Sequence, residues 1–268
     1  MSTVEAPIGR DRVQIEQRTL RTDDWRKYPI VTFVIFTAWV AYATVRAMWG
    51  DAFWVEKYHY LTPFYSPCVN EACGKAAEFG TFLPKGTPFF IPYAAVSLPF
   101  LLLFRLTCYY YRKAYYRAFW MSPQACGVRE PHQKYTGETR FPLIGQNFHR
   151  YFWVIAFLIS LINTWDAIQA FHGADGGFGV GLGTLVLLAN VILLWGYTLS
   201  CHSCRHVMGG RLKNFSKHPV RYWAWTQVSR LNERHGQFAL ITLGSLVVAD
   251  FYVMLVSSGT ISDLRFFN

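Results

Sequence analysis

Long apolar blocks separated by basic, polar segments set the pattern of this chain. Five blocks stand out: Val31–Trp49, Phe89–Tyr109, Tyr151–Phe171, Val180–Leu199 and Gln237–Val256. Each is near the roughly 20 residues that cross the hydrocarbon core of a bilayer. Helices of a soluble protein usually carry a polar face, and these blocks lack one. The pattern predicts an all-α polytopic membrane protein, a bundle of five transmembrane helices spanning residues 31–257. A segment 1–30 precedes it, loops 110–148 and 201–236 lie on one side, and a tail 258–268 follows. Pro99 falls inside the second block and predicts a kink, because its ring removes a backbone donor. Gly179, Gly181 and Gly183 open the fourth block and predict close helix approach.

Composition agrees. Of 268 residues, 52% are hydrophobic, 18% aromatic and only 16% charged, against roughly 25% charged in a soluble domain. Disorder, low complexity and a disulfide-stapled miniature fold are excluded. The net charge of +10 would suggest a nucleic-acid partner in a soluble protein, but its distribution points elsewhere. Segments 1–30, 110–148 and 201–236 hold six, six and seven Lys or Arg, and the three alternate segments hold only Lys57, Lys75, Lys85 and Arg265. The positive-inside rule therefore predicts a cytoplasmic N-terminus and an outer C-terminal tail. The basic face suits anionic membrane lipids or an acidic partner, and no nucleic acid is expected. No apolar h-region occurs in the first thirty residues, so the first helix is expected to remain as the insertion signal. An odd span number with no strong repeat argues against an inverted-repeat transporter.

Cysteine and histidine placement supplies the candidate chemistry. Cys68 and Cys73 lie in the first outer loop, where an oxidising compartment favours a disulfide. The run Ser200-Cys-His-Ser-Cys-Arg-His206 sits at the inner end of the fourth block. On an unbroken helix Cys201 and Cys204 share one face and His202 and His206 another. All four then cannot serve one ion. Either the helix ends within the run, or one pair finds partners elsewhere. His149, His235 and Cys108 lie at the same depth, with Cys126 in the adjoining loop. Such a set can hold zinc or a [2Fe–2S] cluster with two Cys and two His. A haem b needs a facing His pair, and the outer half offers only His59 and His172. One inner-side centre fits better than two haems. No HExxH pair is present to suggest a zinc protease.

Asp166 and Asp250 lie deep in the third and fifth blocks, about 25 Å and 22 Å beyond His149 and His235 at 1.5 Å per residue. An intramembrane acid is a functional candidate. A proton path or polar quinone pocket competes with a structural contact to Asn163 or Asn190, and Arg46 is a further candidate partner.

Four stretches, CYYYRKAYYRAFW (108–120), YTGETRFPL (135–143), NFHRYFW (147–153) and YTLSCHSCRHVMGG (197–210), resemble the membrane anchor of actinobacterial-type succinate dehydrogenases, over roughly residues 30–257. The resemblance implies a bacterial plasma-membrane chain docked to a flavoprotein and an iron–sulfur subunit on the cytoplasmic face. Electrons would pass to a quinone. It also implies a haem-free anchor with an embedded Rieske-type [2Fe–2S] cluster. Carried over, the ligands are Cys201 and Cys204 with His149 and His235. His202 and His206 form the rival pair, and Cys108 or Cys126 can replace one Cys. The quinone head is expected near Arg150, Tyr151, Arg205, Tyr222, Trp223 and Trp225, any single one of which reads more readily as part of an interface belt. Alternatives are a haem b-binding anchor and a zinc-binding membrane protein or transporter.

Overall fold

The computed structural model describes residues 23–83, 91, 93–115, 139–141 and 143–267. Eight helices occur among them: α1 (Lys27–Trp49), α2 (Leu98–Thr107), α3 (Tyr109–Tyr115), α4 (His149–Gln169), α5 (Leu182–Leu199), α6 (His202–Gly209), α7 (Pro219–Glu233) and α8 (His235–Ser257). Four helical segments, Lys27–Trp49, Ile144–Gln169, Leu182–Leu199 and His235–Ser257, are long and apolar enough to cross a membrane.

Burial explains why these helices need lipid. On α1 the buried residues Thr32, Phe36, Trp39, Ala43, Arg46 and Ala47 form one stripe at helical spacing. Off the stripe, Val31, Val34, Ile35, Val45 and Met48 are exposed yet apolar, as a helix with one side in a bundle and one in hydrocarbon must be. Gly50, at φ 70°, takes the left-handed position that ends α1. Helix α8 is the inner pillar: Ala239, Leu243, Leu246, Ala249 and Val253 are all buried, and α5 packs along it more extensively than any other pair of elements. Helices α2 and α5 flank α4, and α3 lies against α1.

The second apolar block folds differently from a single long helix. Tyr93–Val96 is a 3-10 turn, α2 has 10 residues, and Cys108 is extended before α3 begins. Helix α2 starts at Leu98 because Pro99 suits only a first turn, where no intrahelical N–H is needed. The ring therefore sets a helix start, not a kink. The helix is about 15 Å long at 1.5 Å per residue.

The loop after α1 folds back into the bundle. Every residue from Tyr60 to Asn70 is buried, and the 3-10 turn Pro63–Tyr65 lies against α1 and α8. Irregular backbone at membrane depth is tolerable only when protein surrounds it. Cys68 and Cys73 are joined, with Cα atoms 6.3 Å apart. Two short antiparallel ribbons were not legible in the apolar pattern: β1 (Trp54–Val55) with β2 (Tyr60–Leu61), and β3 (Val180–Gly181) with β4 (Arg265–Phe267). The tail thereby returns to the start of α5, where Asp263 accepts from the Gly183 N–H at 2.9 Å, Tyr60 at 2.9 Å and Tyr252 at 2.7 Å.

The glycines at the head of α5 admit this loop and tail, not a neighbouring helix. A side chain at Gly183 would strike the Tyr60 ring, and one at Gly181 would strike Asp263. Tyr60 cannot withdraw, being fully buried and bonded to Thr184 and Asp263. Gly183→Val is therefore expected to cost about 1–3 kcal/mol through overpacking, read as a lower unfolding temperature in detergent. An unchanged temperature would contradict that packing.

Candidate functional site

Four helix ends meet at one end of the bundle, and each carries a sulfur or an imidazole. Cys108 occupies the extended link between α2 and α3, its N–H bonded to the Arg105 carbonyl at 3.1 Å. His149 begins α4, and His235 begins α8. Helix α5 stops at Ser200, so Cys201 is extended and caps α6, its sulfur accepting from the Ser203 N–H at 3.4 Å. The helix thus ends inside the Cys/His run. Cys201 and Cys204 do not share the face that an unbroken helix would give them.

The sulfurs and rings are paired across the bundle. His149 Nε2 lies 3.1 Å from Cys201 Sγ, and His235 Nε2 lies 3.2 Å from Cys108 Sγ. The opposite ring nitrogens are held by hydroxyls: Thr107 Oγ1 is 2.9 Å from His149 Nδ1, and Ser200 Oγ is 2.8 Å from His235 Nδ1. Asn232 donates to the Ser200 carbonyl at 2.6 Å and fixes that corner. Each ring is also stacked, His149 on Phe104 at 5.0 Å and His235 on Tyr197 at 5.1 Å. An imidazole with one nitrogen fixed and the other aimed at a site is the arrangement used to orient metal-binding histidines. All four donors line one cavity of about 470 Å³, with His202 at its edge.

Burial drives the Cys201 thiol up to about 12 and Cys204 up to about 11. A thiol so placed becomes a thiolate when a positive charge is brought to it, as a metal does. His202 is shifted down by burial and then by the Arg205 charge, which favours its neutral form. Among the described residues no three His, Cys, Asp or Glu close on a common point. The donors stand as two Cys–His pairs around a shared cavity. Cys204 is fully buried but does not line that cavity, and Cys126 lies outside the described residues. Cys108 occupies the place opposite Cys201. Sequence reasoning did not single out Thr107 and Ser200, because a hydroxyl beside a helix end is common and its partner lies on another helix.

A second cavity, about 760 Å³, adjoins the first through His202. Arg150, Tyr151, Arg205, His206 and Trp225 line it. Arg205 lies over the Trp225 ring at 5.1 Å and donates to Ser229 at 3.0 Å. Trp223 is turned away and 64% exposed.

The intramembrane acids lie remote from this layer. Asp250 is fully buried and receives Arg46 Nε at 2.7 Å, Tyr42 at 2.6 Å and Thr62. Asp166 receives Ser66 of the re-entrant loop. Asn163 instead donates to the Ile159 carbonyl, and Asn190 accepts from Ser245.

Residues 27–259 match the family described as actinobacterial succinate dehydrogenase subunit SdhC. The chain belongs to this family. It is accordingly the membrane subunit of a succinate dehydrogenase, and the enzyme is the whole complex. A solved structure titled Mycobacterium smegmatis Sdh1 complex in the apo form contains a similar chain, with 68% identity and a TM-score of 0.86, covering 95% of this chain and 96% of that one. Comparison with curated proteins gives no significant match.

Proposed function

We propose that this subunit anchors the flavoprotein and iron–sulfur subunits to the cytoplasmic face of the bacterial plasma membrane and relays their electrons to a quinone. In this reading the chain crosses the membrane five times, with α2 and its flanking residues as the second crossing. The basic segments then face the cytoplasm. The observation that carries the reading is the pair of Cys–His contacts with hydroxyl-fixed rings. Cys108, Cys201, His149 and His235 would hold a [2Fe–2S] centre, two thiolates and two imidazoles being a known donor set for it. Bound there, the group would supply one-electron transfer at a potential raised by its imidazole ligands.

The chain's own residues do the rest. Thr107 and Ser200 orient the rings, and Phe104 and Tyr197 clamp them. Arg150 and Arg205 bring positive charge to the larger cavity, with Tyr151 and Trp225 as apolar walls for a quinone head. His202 stands between the two cavities.

The same four donors are also a zinc set, so the test must identify the metal. Low-temperature EPR of the purified complex, oxidised and reduced, is expected to show a reduced signal of low average g value beyond the partner's clusters. Iron and haem are to be quantified on the same sample. Stoichiometric zinc without that signal, or a cytochrome b spectrum, would overturn the reading.

A further inference from the structure

Arg105 is a buried cation that the proposed relay does not yet use. It lies in α2, one turn before Cys108, and is 3% exposed. Its hydrogen-bond partners are all neutral: the Tyr111 hydroxyl at 2.7 Å, the Ala239 carbonyl at 3.4 Å and the Thr242 hydroxyl at 3.2 Å. Rings surround what remains, with Tyr197 at 4.7 Å, Trp39 at 5.2 Å and Tyr111 at 5.8 Å. No carboxylate pairs with it among the described residues, for the buried Asp250 is taken by Arg46. A guanidinium does not lose its proton, and an unpaired charge in such a place is costly. Arg46 shows the usual solution within the same bundle; Arg105 departs from it.

Tyr197 links this charge to the donor layer. Its ring meets the guanidinium at 4.7 Å and stacks on His235 at 5.1 Å with 9° between planes. On the other side the extended Cys108, three residues on, donates its N–H to the Arg105 carbonyl at 3.1 Å. The cation is therefore one ring away from His235, through Tyr197, and three residues from Cys108 along the chain.

We infer that Arg105 is the built-in counter-charge of the redox centre, a positioning residue that favours its reduced form. The inference rests on the two-iron reading above. Two thiolates and two neutral imidazoles around a [2Fe–2S]²⁺ core sum to zero. One electron from the partner's iron–sulfur chain makes the centre −1, with no bond formed or broken. The anion that Arg105 lacks is then that electron. A unit charge at about 10 Å in an interior of effective dielectric near 20 shifts a one-electron equilibrium roughly tenfold or somewhat more. Tenfold is 59 mV for one electron.

The test is a potentiometric EPR titration of the intact complex. Arg105→Gln is expected to lower the midpoint of the low-g signal by the equivalent of about tenfold in the reduced-to-oxidised ratio, with iron content unchanged. Thr242→Asp guards against misfolding of the first variant, since it retains Arg105 and supplies a carboxylate beside it. It should lower the midpoint as Arg105→Gln does. An unchanged midpoint in an iron-replete Arg105→Gln or Thr242→Asp complex overturns the inference while leaving the centre in place. Absence of the low-g signal from the wild-type complex removes the two-iron reading itself, and the inference with it.

Discussion

Replacing His149 and His235 together by alanine is expected to abolish quinone reduction while succinate oxidation with a soluble dye survives. The two rings come from the first residues of α4 and α8, so each substitution removes a donor without interrupting a helix. Their Nε2 atoms are the groups facing Cys201 and Cys108. Loss of both leaves two thiols and no nitrogen donors, and the low-g EPR signal should vanish with the activity. The expected fall in quinone reduction is at least about a hundredfold, beyond the 10–100-fold typical of losing a residue that only orients a ligand. Thr107→Val and Ser200→Ala supply that milder comparison, because they free Nδ1 but leave Nε2 in place. Retained quinone reduction in the double His variant would mean that another set carries the electron, with His202 and His206 the first to examine.

Much of this architecture was legible in the residues, and the reasons for the rest are specific. Four long apolar helices follow from block length alone, because an apolar run of some twenty residues has few other stable fates. The second block misleads because hydropathy is blind to proline position: Pro99 looks interior to the run but marks a helix start. The loop after α1 misleads for the opposite reason. Tyr60–Asn70 is rich in turn formers and hydroxyls, which read as surface, yet the stretch is buried throughout. Three of its hydroxyls, on Ser66, Thr62 and Tyr60, are satisfied by Asp166, Asp250 and Asp263, partners at least a hundred positions away.

The site was legible as a layer but not as a set of contacts. Membrane depth can be counted along a helix, so His149, His235, Cys108 and Cys201 fall together in the sequence. Which sulfur meets which ring depends on where each helix stops. The break at Ser200–Cys201 and the extended Cys108 are local backbone events, and no periodicity announces them. Cys204 remains fully buried one turn inside α6, although its spacing from Cys201 suggested a pair.

Asp250→Ala is expected to destabilise the subunit by about 3–5 kcal/mol, the usual cost of stranding a buried partner charge. Asp250 is wholly enclosed, and Arg46 binds it through Nε at 2.7 Å and Nη2 at 3.3 Å. Without the carboxylate, the guanidinium retains only the carbonyls of Asp51 and Ala52, at 3.4 Å and 3.2 Å. The same aspartate also receives Tyr42 and Thr62, so it ties α1 and the re-entrant loop to α8. Its removal should loosen three elements at once, seen as a lower unfolding temperature of the purified complex. Replacing both Arg46 and Asp250 by leucine removes the stranded charge, and a buried pair replaced by apolar residues is often nearly neutral. The double variant should therefore recover most of the loss. Asp250→Asn separates this structural role from a proton path, since it keeps the shape and one acceptor oxygen but cannot exchange a proton. A structural Asp250 predicts lowered stability with quinone reduction per folded complex intact. A proton path predicts slowed turnover at unchanged unfolding temperature. The saturated carboxylate, bonded by a guanidinium and two hydroxyls, favours the first outcome.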